Sequence, residues 1–130
     1  MRFGAATASC PVGVATARMM GLSGQGVGRF RGCVQSVVGN CTTLRAGCMQ
    51  TVKMVITYRL GSGLVAARAV IKELGLSSNE VLQYDTHGTI IQATGAFAGR
   101  RGGVAGGGTA TFNDDGSVTS TIVHVLTLRG

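Results

Sequence analysis

The sequence predicts an all-β protein, a small antiparallel β-barrel preceded by an irregular N-terminal arm. Twenty-two glycines and a single proline in 130 residues disfavour helices, because glycine inside a helix costs about 1 kcal/mol relative to alanine. Runs rich in Val, Ile and Thr recur from Phe30 onward, divided by Gly, Asn and Asp clusters that mark turns. The length suits one domain with a modest core, and a hydrophobic share of 45% excludes disorder over most of it. With aromatics at only 5%, that core is filled by Val, Ile, Leu, Ala and Met.

Residues 1–28 are rich in Gly, Ala, Ser and Thr, lack any acid and show no clear period, so they read as the arm, with one short strand around Val12 to Ala17. Gly24-Gln25-Gly26-Val27-Gly28 lacks the preceding apolar strand and the glycine order of a nucleotide loop. Gly106-Gly107-Gly108-Thr109 has no lysine to reach a phosphate, so it is not a nucleotide loop either. Residues 29–130 form the single barrel domain.

Within that domain Cys33 to Val38 is an apolar, partly β-branched strand. Thr51 to Leu60 puts Val52, Met54, Ile56 and Tyr58 on one face and Lys53, Val55, Thr57 and Arg59 on the other. Gly61-Ser62-Gly63 then marks a hairpin. Leu64 to Leu74 is ambiguous. A helical stripe of Leu64, Ala67, Val70 or Ile71 and Leu74 competes with a strand face of Val65, Ala67, Ala69 and Ile71, and the local period slightly favours the helix. Thr89 to Ala93 and Thr109 to Phe112 are short strands, with a punctuated stretch between them. Asn113-Asp114-Asp115-Gly116 is a turn, and Ser117 to Leu128 is a long terminal strand with apolar residues on both faces. That pattern suits a barrel wall with a self-associating outer side, so a homo-oligomer is expected.

A net charge of +7 raises the question of nucleic acid. The basic residues are scattered along the chain and aromatic stacking platforms are few, so nucleic acid is not the expected partner. An acidic ligand is an equally good use of the charge. Cys10, Cys33, Cys41 and Cys48 show no C-x-x-C spacing, and no histidine lies near them, so no metal site is expected. Four cysteines allow two disulfides in an oxidising compartment. Met1 to Met20 has no unbroken apolar stretch, and no segment is long enough to span a membrane. The expectation is therefore reduced, buried thiols in a cytoplasmic protein.

Gln92-Ala93-Thr94-Gly95-Ala96-Phe97-Ala98-Gly99-Arg100-Arg101-Gly102 resembles the Thr-Gly, aromatic, Gly-Arg-x-Gly stretch of the allene oxide cyclase and dirigent barrels. The nearest likeness is to the small bacterial spirotetronate cyclases of natural product biosynthesis, with Thr57-Tyr58 and the turn at Gly61-Ser62-Gly63 at a comparable distance upstream. The similarity covers roughly residues 50 to 128. The doubled glycine before the aromatic is missing, the acid-bearing N-terminal strand is not visible, and there is no tryptophan. The resemblance implies an eight-stranded barrel with Leu64 to Leu74 in a strand, and cofactor-independent cyclisation of a polyene or epoxide held inside.

Such chemistry needs little more than a shaped, water-excluding cavity and a hydrogen-bond donor. Tyr58 and His124 are the candidate catalytic residues. Tyr58 matches the family's Thr-Tyr position and would orient a carbonyl, against the plain alternative of a rim tyrosine. His124 lies mid-strand, as a general base or a satisfied structural histidine. Met54 and Ile56 would line the ligand, and Arg100, with Arg101, would meet an anionic headgroup at the cavity mouth. Glu73 and Glu80 are candidate pocket acids, Glu73 more simply a solvated strand end beside Lys72. Tyr84-Asp85-Thr86-His87 reads as a turn. No cofactor is expected. The function so read is that of a cyclase or isomerase acting on a small apolar substrate. The alternatives are a non-catalytic barrel binding a lipid or polyketide-like ligand, and a structural, oligomer-forming β protein.

Overall fold

The computed structural model describes residues 2–21, 26–41, 45–76 and 80–130. Eight strands follow in order: β1 (Arg2–Gly4), β2 (Gly13–Met20), β3 (Gly26–Gly39), β4 (Met49–Leu60), β5 (Gly63–Gly75), β6 (Val81–Gly95), β7 (Arg101–Phe112) and β8 (Val118–Arg129). Each pairs antiparallel with its neighbours in the chain, so the spatial order is the sequence order. The sheet curls into a barrel. The ring of Phe3 on β1 stacks on Phe112 of β7 at 6.0 Å, and Phe30 on β3 meets His124 on β8 at 5.8 Å. Closure is incomplete, since no ladder joins β1 to β8 among the described residues. Among them, too, no helix is long and apolar enough to cross a membrane.

The two-residue side-chain period sorts the strands. On β4, Val52, Ile56 and Tyr58 are buried while Lys53 and Arg59 are exposed. Leu64 to Leu74 lies in β5, and its odd-numbered residues from Val65 to Glu73 are buried while Arg68, Val70, Lys72 and Leu74 are exposed. The helical stripe loses because pairing on both sides, to β4 and β6, satisfies the backbone groups along the strand. Gly61 and Ser62 make the β4–β5 hairpin, with Leu60 opposite Gly63. Asn113 to Gly116 makes the β7–β8 turn, closed by the Asn113 amide donating to the Ser117 carbonyl. The core gathers Ile56, Tyr58, Ala67, Ala69, Ile71 and Val104.

Four expectations are corrected. The arm is not irregular: residues 2–4 and 13–20 are strands of the sheet. On β2 the inward Ala15, opposite Gly32, and Ala17, opposite Phe30, are small, and β1 is only three residues long, so the sequence carries no visible period. The loop at Gly24-Gln25 lies outside the described residues, and Gly26 to Gly28 open β3. Of the punctuated stretch before Thr109, Arg101 to Gly108 are the first two-thirds of β7, glycines included. At Gly106 a Cβ would come within 2.7 Å of His124 Cδ2, so the bare backbone makes room for that ring. Tyr84 to His87 is not a turn but part of β6, with Thr86 buried and Asp85 and His87 outward, 3.4 Å apart.

The fourth correction concerns the cysteines, which are bonded as Cys10–Cys33 and Cys41–Cys48 rather than reduced. Pairing of β2 with β3 brings Cys33 beside the segment entering β2, where the Cα atoms of Cys10 and Cys33 lie 5.1 Å apart. The second bond closes the β3–β4 connection, which is tied to the end of β5 by the Gly47 amide donating to the Gly75 carbonyl. A Cβ at Gly75 would approach Cys48 Sγ to 2.7 Å, so glycine lets this connection pack down.

Crosslinking residues 23 apart removes about 3 kcal/mol of unfolded-state entropy, and the shorter loop somewhat less. The paired variant Cys10→Ser/Cys33→Ser is therefore expected to lose about 3 kcal/mol in chemical denaturation, with a smaller loss for Cys41→Ser/Cys48→Ser. Midpoints unaffected by substitution or by reductant would show that the bonds do not hold the native protein.

Candidate functional site

Two polar stations lie inside the barrel. The first joins Tyr58 and His124, the residues singled out from the sequence, although 66 positions separate them. Curling of the sheet sets β8 across from β4, and the Tyr58 hydroxyl reaches His124 Nδ1 at 2.7 Å. Phe30 packs edge-on against both rings, at 5.9 Å from Tyr58 and 5.8 Å from His124. Burial pushes the Tyr58 phenol up and the His124 imidazole down, so both are neutral at neutral pH. One hydrogen bond joins the phenol oxygen to Nδ1, and with the imidazole proton on Nε2 the phenol is its donor. Tyr58 is fully buried and its hydroxyl is spent on His124.

The second station borders a chamber, a cleft of about 450 Å³ that opens from the barrel interior to solvent, within the usual size range of small-ligand sites. Phe3 and Phe112, stacked on one another, form one wall, and Val34, Val52 and Met54 form another. Against this apolar lining stand three polar side chains, Gln50, Glu73 and Tyr84. Glu73 is the next inward position on β5 after Ile71, and it is 8% exposed. Gln50, its register partner on β4, donates from Nε2 to Glu73 Oε2 at 2.6 Å. Tyr84 is the register partner of Glu73 on β6.

Burial raises the Glu73 carboxyl above its ordinary value of 4.5, and the Gln50 bond offsets only part of this. Burial and the nearby Glu73 charge also push the Tyr84 phenol up. When the carboxyl is protonated, the Gln50 bond to Oε2 leaves Oε1 to carry the proton. Neither Oε1 nor the Tyr84 hydroxyl has a hydrogen-bond partner among the described residues, and no buried polar atom there lacks one, so both open onto the chamber. The Tyr84 hydroxyl, and the Glu73 carboxyl when protonated, face a largely apolar cleft where they are placed to hold a ligand oxygen.

Of the other sequence candidates, Met54 lines the chamber. Ile56 is fully buried between the two stations. Tyr58 lies two inward positions beyond Met54, about 13 Å along the strand, and the two stations are separate. Arg100 is at neither. It lines a different cleft of about 590 Å³, with Arg101 and Arg129, where β6 and β7 part beyond the Thr89–Gly103 pair. Glu73, a candidate pocket acid that beside Lys72 reads more simply as a solvated strand or turn end, is buried. The signal for its burial lies in the strand face Val65, Ala67, Ala69, Ile71, whose next member it is. Among the described residues no group of acids, cysteines and histidines is arranged to hold a metal. Compared with family models, with curated proteins and with solved structures, the chain matches none.

A carboxyl with a raised native pKa stabilises the fold fully below its unfolded value, and that contribution is lost as pH rises through the native value. Glu73→Gln keeps the shape and an acceptor for Gln50 but cannot ionise. It is expected to leave the thermal midpoint near wild type at pH ~4 and raise it above wild type at pH ~8. A midpoint lowered at the higher pH would mean that the carboxylate is favourably held.

Proposed function

We propose that the barrel binds a small, largely apolar molecule carrying an oxygen, and that Glu73 acts on that oxygen as the acid of a cofactor-independent cyclisation or isomerisation. The observation that carries this reading is the unspent Glu73 carboxyl, fixed by Gln50 and opening beside Tyr84 into a chamber otherwise lined by Val, Met and Phe. Proton donation from Oε1 polarises a carbonyl or opens an epoxide. The chamber holds the chain folded so that its ends meet. The carboxylate then recovers the proton released as the product forms, so no cofactor is consumed. The likeness to allene oxide cyclase, dirigent and spirotetronate cyclase barrels supports the same reaction class. Tyr58 and His124, bonded to each other, serve in this reading to clamp β8 against β4.

Assay of a linear polyene and an epoxide precursor with Glu73→Gln, Tyr84→Phe and Tyr58→Phe separates the stations. Loss of a positioned acid lowers turnover by about 10²–10⁴, so Glu73→Gln is expected to fall in that range and Tyr84→Phe by about tenfold. Tyr58→Phe is expected to keep its turnover and lose about 1 kcal/mol of stability. Loss of turnover in Tyr58→Phe with Glu73→Gln active would move the chemistry to the Tyr58–His124 pair. Ligand retained in native mass spectra but never converted would make the protein a binding barrel, the second reading supported by the same chamber. Neither binding nor conversion would overturn both.

Two further parts of the proposal concern setting and assembly. Two disulfides support an oxidising compartment over the cytoplasm expected from the sequence. The twelve-residue β8 is an edge strand whose outer face carries Val123 and Val125, 57% and 58% exposed. Unpaired edges of this length recruit a second strand, so the proposed assembly is a symmetric dimer through β8. Sedimentation at tens of micromolar is expected to give a dimer and Val123→Lys/Val125→Lys a monomer, whereas a wild-type monomer would remove this part.

A further inference from the structure

The basic residues that look scattered along the sequence are gathered by the strand register. Arg18 on β2 lies directly opposite Arg29 on β3, which in turn lies directly opposite Arg59 on β4. Three arginines therefore stand in one row across three adjacent strands, about 4.8 Å apart at the backbone. One step along the outer face, Thr16 of β2 has Arg2 of β1 on one side and Arg31 of β3 on the other. Arg68, Lys53 and Lys72 extend the same face onto β4 and β5. Together these are eight of the twelve basic residues in the chain, all exposed.

No strand of that face contributes an outward acid. Glu73, the one acid on β1 to β5, points inward and is buried. Glu80 directly precedes β6, Asp85 lies near its start, and Asp114 and Asp115 lie in the β7–β8 turn. Asp85 stands opposite Lys72 at the far margin of the face, and its carboxylate meets His87 at 3.4 Å. The arginine row lies at the other end of the strands. Arg31, beside it, reaches the Cys10 sulfur at 3.7 Å. Like charges directly opposite on neighbouring strands destabilise a sheet. The Arg18–Arg29–Arg59 row carries that repulsion twice over.

We propose that the outer face of β1 to β5 binds the phosphate backbone of duplex nucleic acid, without reading its sequence. Guanidinium forks pair bidentately with phosphate oxygens. A duplex also presents the dense, regular charge that a multi-row arginine face matches, about one phosphate per 1.7 Å of axis. Phe30 and Tyr58, the aromatics of β3 and β4, point inward into the core. The face thus offers no stacking platform for single-stranded bases, and contact is to the backbone alone. This binding is independent of the interior chamber.

Fluorescence anisotropy with two unrelated duplexes of about twenty base pairs tests it on the whole protein. Equal affinity for both is expected, with a log–log salt slope near −4 to −5 for about five phosphate contacts. The variant Arg18→Gln/Arg29→Gln/Arg59→Gln is expected to bind at least tenfold more weakly, with a slope reduced by about three. Arg100→Gln/Arg101→Gln/Arg129→Gln removes the same charge away from this face and is expected to bind within about twofold of wild type. Without ligand the row variant is expected to melt at or above wild type, since repulsion is relieved. If it fails to fold, Arg29→Gln alone gives the same reading with a slope change near one. Equal losses in the two triple variants would reduce the effect to net charge and overturn the site. Polyglutamate bound as tightly at the same salt, or strong preference for one duplex, would overturn the assignment to a phosphate backbone.

Discussion

Everything in this molecule depends on the antiparallel register that runs from β1 to β8, shifted by one residue within the β2–β3, β3–β4 and β5–β6 ladders. Each ladder joins strands that are neighbours in the chain, and each strand alternates its side chains between two faces. A residue's position therefore decides at once whether it meets the interior or water. The same register places Gln50, Glu73 and Tyr84 side by side across β4, β5 and β6 within the barrel. On the outside it lines up Arg18, Arg29 and Arg59 across β2, β3 and β4. A slip of one residue in β3 or β4 would exchange these sets, burying guanidinium groups and exposing the core.

The interior is uneven because the inward residues differ in size from strand to strand. Ala15 and Ala17 on β2, Gly32 on β3, Ala67 and Ala69 on β5 and the glycines of β7 leave room on several sides. At one level Phe30, Tyr58 and His124 fill that room, and the hydroxyl–imidazole bond ties opposite walls together. At the other level Val52, Met54 and Leu82 do not fill it, and the chamber remains. A buried carboxyl in such a place loses solvation with only the single bond from Gln50 to replace it. Such loss raises the carboxyl's pKa and favours its protonated form.

The elements with large inward side chains are legible from the sequence. Alternation on β4, the hairpin at Gly61 and Ser62, the Asn113 to Gly116 turn and β8 are all written in residue type. β5 is legible only with help from the family resemblance, because its Ala and Leu positions satisfy a helical period as well as a strand period. β2 and most of β7 are not legible, since small inward residues carry almost no hydrophobic signal, and β1, at three residues, is too short to show a period. The disulfides depend on which strand segments end up adjacent, and a spacing of 23 residues says nothing about that. Tyr58 and His124 are both identifiable as inward groups, but their partnership depends on how far the sheet curls. Glu73 and the arginine row are hidden for the same reason: chemistry set by cross-strand neighbours is invisible until the register is known.

The nearest-neighbour topology also shapes how the chain reaches this state. Every ladder closes after only the intervening turn or connection, so loop-closure entropy is small at each step. Barrels with crossover connections must bring distant segments together first, and they fold more slowly in consequence. Here each ladder needs only a local hairpin or connection, and the long-range contacts are those of the curl that stacks Phe3 on Phe112 and brings His124 to Tyr58. Until that curl is complete, the half-rolled sheet exposes its apolar face and both edges, and this stage is where the molecule is most open to misassembly.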